Sequence, residues 1–296
     1  ARGSLAGAGY AIGAFGLWGA FPLYFKAVSS VPAMEVLAHR IVWSVVWVAG
    51  LLWLLRQWPD VRAALRGPRT RLRLLLSALL ISTNWLVFIW AVAQGRVLEA
   101  GLGYYITPLV SVLLGRLVLG EALTRLQWAA VALAALGVGY MLAGLGKLPW
   151  VSLALAATFG SYGLARKTTA VGAAPGLFVE TLLLAPLALG FLLWLGGDGR
   201  FGGDPGFDLL LVAAGLVTAA PLILFAQAAR RLRLASVGLF QYITPTCQVL
   251  LAVFVFGEPF TGDHGVTFGC IWLALALYSF SAWRRPSPTA AVVRDA

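Results

Sequence analysis

One segment occurs twice in this chain, and the interval between its copies limits the architectures open to it. Tyr105-Ile106-Thr107-Pro108, continuing through Val112, Leu113, Leu114 and Val118 to Gly120-Glu121, recurs as Tyr242-Ile243-Thr244-Pro245 through Val249, Leu250, Leu251 and Val255 to Gly257-Glu258, always 137 positions later. The register holds upstream, where Arg96, Gly101 and Leu102 meet Arg233, Gly238 and Leu239. An ungapped match of this length marks two related halves.

Each half is built of apolar runs. About 20 apolar residues make a helix long enough to cross roughly 30 Å of hydrocarbon, and ten such runs follow one another with short polar breaks. The first five are expected at 5–25, 34–55, 72–93, 98–119 and 126–145, and the second five at 148–165, 177–195, 209–229, 234–256 and 266–283. At 60% hydrophobic and 11% charged, with a mean hydropathy of +0.88, the chain leaves no stretch for a soluble domain. The expected architecture is all-α and integral to the bilayer: ten transmembrane helices in two repeats, residues 1–146 and 147–284, followed by a disordered cytoplasmic tail at 285–296. The chain begins at Ala1. Its first run is longer than a signal-peptide core and leads into Pro22 and Lys26 without a cleavage site, so it is expected to be a retained span.

Loop charges test that count, because ten spans put alternate loops on the same side. Of the 22 Lys and Arg residues, 16 fall on one side: Arg2, the six arginines from Arg56 to Arg73, Arg125, Arg166, Lys167, Arg230, Arg231, Arg233, Arg284, Arg285 and Arg294. The other side receives Lys26, Arg96, Lys147 and Arg200, while Arg40 and Arg116 lie within spans. The bias assigns the richer side, with both termini, to the cytoplasm. The excess of 22 basic over 11 acidic residues is therefore a topology and headgroup signal rather than a nucleic-acid footprint. Five crossings per half is an odd number, so the second half enters the membrane from the opposite face. Inverted repeats of this kind enclose a site near the midplane that opens to either side in turn. Cys247 and Cys270 lie in apolar runs at no metal-ligand spacing and read as small buried hydrophobes.

Polar groups inside the spans mark candidate functional positions, since a charge in hydrocarbon costs roughly 3 kcal/mol even on lenient scales. Glu35 and His39, four apart on one face of the second span, are candidates for proton coupling or for structural pairing. Arg40 is turned away from them and is either a lining group or a cation snorkelling to the surface. Glu180 in the seventh span is open to the same functional and structural readings. Thr107-Pro108 and Thr244-Pro245 put a proline inside a span, where it removes a backbone hydrogen bond and bends the helix. The freed carbonyl, the Thr hydroxyl and Tyr105 or Tyr242 would form a polar notch, with Tyr104, Gln241 and Gln248 beside it. Trp18, Asn84, Trp85 and Tyr162 complete the expected lining, Asn84 because a buried amide needs partners. Glu121 and Glu258 end spans and are expected to be solvated. No phosphate-binding glycine loop, metalloprotease helix, nucleophile elbow or acidic surface cluster occurs. The chain is accordingly not expected to be an enzyme or an ATP-driven pump, nor to carry a cofactor or metal.

Several segments resemble the RarD proteins: Phe15-Gly16-Leu17-Trp18-Gly19, Tyr24-Phe25-Lys26, the run from Val31-Pro32 through Glu35 to His39-Arg40-Ile41-Val42-Trp43-Ser44, Asn84-Trp85 through Val92, Leu98 through Tyr104, Tyr162 through Lys167, Arg231 through Leu234, and Phe240-Gln241-Tyr242-Ile243. RarD proteins belong to the EamA group of the drug/metabolite transporter superfamily. The resemblance covers nearly the whole chain. It implies ten spans in two inverted repeats, cytoplasmic termini, a bacterial inner-membrane location and a central cavity lined mainly by spans one, three, four, six, eight and nine. It also implies export or exchange of a small metabolite or drug-like solute, the family being linked to chloramphenicol sensitivity. Secondary active transport by alternating access is thus the expected function. The expected partners are the lipid bilayer, a small-molecule substrate and, through Glu35 and His39, protons. A homodimer is compatible with the sequence, but nothing in it calls for one. The alternative is a non-transporting membrane sensor or partner subunit, docking through the arginine-rich break at 56–73.

Overall fold

The computed structural model of the protein describes residues 2–120, 123–145, 148–229 and 240–284. Among these residues there is no strand. The helices are α1 (Arg2–Ala27), α2 (Ala33–Leu55), α3 (Trp58–Arg66), α4 (Pro68–Ala93), α5 (Val97–Leu119), α6 (Arg125–Leu145), α7 (Trp150–Lys167), α8 (Ala173–Leu195), α9 (Pro205–Ala229), α10 (Ile243–Leu250) and α11 (Gly262–Arg284). A 3₁₀ turn, Gly196–Asp198, extends α8, and α10 passes into a π-helix at Leu251–Val255. Among the described residues five stretches are long and apolar enough to cross a membrane: Ala33–Leu55, Pro68–Ala93, Val97–Leu119, Ala173–Asp198 and Pro205–Phe225. Helices α1, α6, α7 and α11 run for 18 to 26 residues. Glu121, Lys147, Arg230, Arg231, Arg233 and the tail at 285–296 lie outside the described residues, as does the start of the span expected at 234–256.

The arginine-rich break at 56–73 is not an open loop. Pro59 sits in the first turn of α3, where its missing N–H has no helical partner to lose. One face of α3 turns inward through Val61 and Ala64, and the Trp58 ring lies 5.2 Å from Phe178 of α8, edge to face. The opposite extreme is an outer surface of Trp53, Trp194 and Phe254, which are 72%, 79% and 79% exposed. Aromatic rings this bare are stable only against hydrocarbon.

Packing partners are exchanged between the two halves. Helix α1 packs on α9 and α10, while α7 packs on α4 and α5; α2 lies against α8 and α9, α8 against α2 and α4, and α6 against α11. Glycines let these backbones approach, Gly19 and Gly160 among them. A Cβ on Gly19 would stand 2.6 Å from Cys247 Cβ in α10. One on Gly160 would stand 3.0 Å from Val110 Cγ1 in α5. The step from Val110 to Cys247 is the repeat interval of 137.

Helices α5 and α10 cross antiparallel. Val97 and Leu98 at the start of α5 meet Glu258 beyond the far end of the π-helix, Gly101 lies against Pro245, Gln248 and Val249, and Tyr105 meets Thr246 near the start of α10. Glu258 is therefore not the solvated group expected of it. Its two carboxylate oxygens accept the Val97 and Leu98 amides at 2.7 Å each, serving as the N-terminal cap that Arg96 does not supply. The wide helical turn carries it there, with Phe256 N–H donating to Leu251 O and Glu258 N–H to Ala252 O, both at 2.9 Å. Burial nevertheless pushes the Glu258 carboxyl above the usual carboxylate range, the two amide bonds acting in the opposite sense.

Candidate functional site: a central cavity

A cavity of about 620 Å³ lies between the halves. Phe15, Trp18 and Phe21 of α1, Arg40 of α2, and Ile81, Asn84, Trp85 and Phe88 of α4 line it, with Tyr104 and Pro108 of α5. From the second half come Phe159, Tyr162 and Arg166 of α7, Ala173 and Leu177 of α8, Thr218, Leu222 and Phe225 of α9, and Gln241, Tyr242, Thr244, Pro245 and Gln248 at α10. The lining is mostly apolar and rich in aromatic rings, with a few convergent polar groups, the usual make-up of a small-molecule pocket.

Two buried polar clusters border it. In the first, Arg40 is 3% exposed and donates through Nε to Thr218 Oγ1 at 3.0 Å. Its guanidinium stands 4.1 Å from the Trp85 ring centroid, 5.3 Å from Phe25 and 5.5 Å from Phe21. Arg40 does not snorkel, because these rings and Thr218 hold it inward from three helices. In the second, Glu180 is 1% exposed and accepts from Ser77 Oγ at 2.5 Å and from Tyr162 OH at 3.4 Å. Arg166 pairs with it at 3.6 Å and donates to the Val171 and Gly172 carbonyls. Glu180 itself does not reach the cavity wall; Tyr162 and Arg166 do. The interval from Ser77 to Thr218, 141 residues, is the same as from Gly19 to Gly160.

Asn84 has the partners it needs. Its Nδ2 donates to Leu155 O and Thr158 Oγ1 at 3.1 and 3.0 Å, and its Oδ1 accepts from Tyr104 OH at 3.0 Å, tying α4, α5 and α7 together. Gln248 is 2% exposed, and among the described residues its Oε1 has no hydrogen-bond partner.

Besides Glu180, four singled-out groups lie off the cavity. Thr107 turns its hydroxyl onto Gly103 O of its own helix at 3.0 Å. Tyr105 bonds Thr246 Oγ1 at 2.5 Å and faces a shallower recess shared with Trp272 and Ser279. Glu35 and His39 do not pair with each other. The segment after α8 folds over them: Arg200 N–H donates to Glu35 Oε1 at 2.7 Å, and the Phe201 ring covers His39 at 4.9 Å, both imidazole nitrogens being without a hydrogen-bond partner among the described residues. Phe15, Phe21, Phe88, Phe159 and Phe225 line the cavity without a sequence signal, because a phenylalanine in an apolar run looks the same facing lipid or a cavity. Among the described residues no three His, Cys, Asp or Glu side chains gather as a metal site would require.

Residues 5–143 match the model of the EamA-like transporter family. The chain is 50% identical over 274 residues to an uncharacterized transporter of Vibrio cholerae, covering 91% of this chain and 90% of that protein. It is 46% identical over 275 residues to the protein RarD of Salmonella typhimurium, covering 92% and 94%. A solved crystal structure superposes with a TM-score of 0.61 at 19% identity, covering 95% of this chain and all of that one, which bears on the fold alone. Similarity at this level over nine-tenths of both sequences places the chain in the RarD family, within the EamA group of drug/metabolite transporters.

Proposed function

We propose that this protein is a secondary active transporter, moving a small solute across a bacterial inner membrane by alternating access, with ten spans in two inverted repeats and both termini in the cytoplasm. Family membership supports the transporter class and weighs against an enzyme. The observation that carries the rest is a cavity walled by both halves around an antiparallel pair of repeat helices. The exchange of packing partners between halves supports the inverted arrangement. The cavity reaches Arg166, Ala173 and Leu177, at the end that the loop charges assign to the cytoplasm. At the other end Glu258 holds α5 and the π-helix together. In this reading the conformation is inward-facing.

Among the solute-contacting residues are then Trp18, Asn84, Trp85, Tyr104, Pro108, Tyr162, Gln241, Tyr242, Thr244, Pro245 and Gln248. Glu35 and His39 dock the outer segment at 199–201, and Glu180 with Arg166 is the titratable pair nearest the solute. The test is counterflow in proteoliposomes, with chloramphenicol and a panel of neutral and charged metabolites on the two sides. Flux that saturates and falls at least about tenfold in Asn84→Ala, at equal incorporation, is the expected result. Absence of counterflow for every solute, with a protein captured through α3, would favour a sensor or partner subunit instead.

A further inference from the structure

The cavity walls carry positive charge without a matching carboxylate. Arg40 and Arg166 line the cavity, and among the described residues no Asp or Glu does. Arg166 is answered by Glu180 and by two backbone carbonyls. Arg40 is not: among the described residues no carboxylate pairs with it, and its one hydrogen bond there uses Nε. Aromatic faces attract a cation, but they do not take up the paired N–H groups of a guanidinium as a carboxylate does. A guanidinium this buried is unfavourable unless an anion completes its surroundings. Nor can it leave, being clamped by Thr218, Trp85 and Phe21 from three different helices.

Resting on the transporter reading above, we infer that the solute is an organic monoanion whose carboxylate docks on Arg40 and whose body is aromatic or otherwise planar and apolar. One uncompensated guanidinium matches one negative charge better than the double charge of a phosphate. The rings of Trp18, Phe159 and Phe225 supply stacking surfaces, and about 620 Å³ holds a solute of one or two rings. The unpartnered Gln248 Oε1 on the same wall takes a hydroxyl or N–H of that solute.

Three probes with one body and different heads test this: 3-phenylpropionate, 3-phenylpropanamide and 3-phenylpropylamine. Binding to the purified protein is followed by thermal stabilisation and by quenching of tryptophan fluorescence. The acid should bind at least about tenfold more tightly than the amide or the amine. Arg40→Gln should bring the acid down to the level of the amide, and Arg40→Lys should keep part of the preference. If Arg40→Gln does not fold, the three probes on the unaltered protein still decide. Equal binding of acid and amide, preference for the amine, survival of the preference in Arg40→Gln, or binding of none of the three overturns the inference. Binding with the expected signature but no counterflow of the acid would sink the transporter reading and leave the anion site standing. Counterflow of the amide or amine with exclusion of the acid would do the reverse.

Discussion

The two copies of the Tyr-Ile-Thr-Pro segment are alike in sequence and unlike in structure. In the first, α5 runs through Pro108 without a break, Thr107 bonds its own helix, and of the tetrapeptide only Pro108 reaches the cavity. In the second, helix begins afresh at Ile243 after a turn at Gln241 and Tyr242, so Pro245 sits in a first turn where no helical bond is lost. Thr244 there crosses to Phe15 O of α1 at 2.9 Å, and Tyr242, Thr244 and Pro245 all line the cavity. The same four residues serve once as mid-helix and once as a helix start, and what each packs against decides which. A carrier assembled from two copies needs such a difference, since halves in identical conformations would present the cavity equally to both faces.

The largest test of the asymmetry is steric. Gly19→Ala should destabilise the protein by about 3 kcal/mol and Gly160→Ala by about half as much, because the first collides with a Cβ and the second with a movable methyl. Thermal unfolding in detergent measures both, and equal losses would mean that the two crossings are equally tight. Next comes the proline pair. Pro108→Ala restores a mid-helix hydrogen bond and should lower counterflow about tenfold, whereas Pro245→Ala should change it by roughly twofold. The reverse order would make the helix start, not the bend, the working part. Smaller still is the hydroxyl comparison: Thr244→Val should cost about 1 kcal/mol for the lost contact with α1, and Thr107→Val less than about 0.5. The smallest effect is on pH. With the Glu258 carboxyl raised above its ordinary 4.5, the folded protein keeps a proton that the unfolded chain has released, so stability falls as pH rises from 4.5 through the folded value. Glu258→Gln should flatten that slope; an unaltered slope would assign it to another group.

Much of the helical framework is legible in the sequence, because apolar runs and glycine- or proline-rich breaks act locally. Expected ends at 55, 93, 119, 145, 195 and 229 coincide with the ends of α2, α4, α5, α6, α8 and α9. Helix α3 is not legible, since nine residues with three charges show no inward face until Phe178 of α8 is brought against Trp58. Asn84 stands out because an amide in an apolar run must be satisfied, and three contacts satisfy it. Arg40 was open between two readings for the opposite reason. Its partners are 178 residues away at Thr218 and on other helices at Trp85 and Phe21, distances at which helical periodicity is silent. The docking of Arg200 and Phe201 onto Glu35 and His39 is hidden in the same way, since a loop rich in glycine gives no sign of where it will settle.

The capping of α5 by Glu258 has a bearing on how fast any cargo can cross. The carboxylate joins a residue of one half to the first turn of a helix in the other, at the rim away from the cavity. In a carrier that must part this rim in every cycle, two amide protons have to be surrendered to water before anything leaves, whatever the cargo is. Such a latch sets one ceiling on turnover for all solutes alike, while discrimination among them stays with the aromatic chamber behind it.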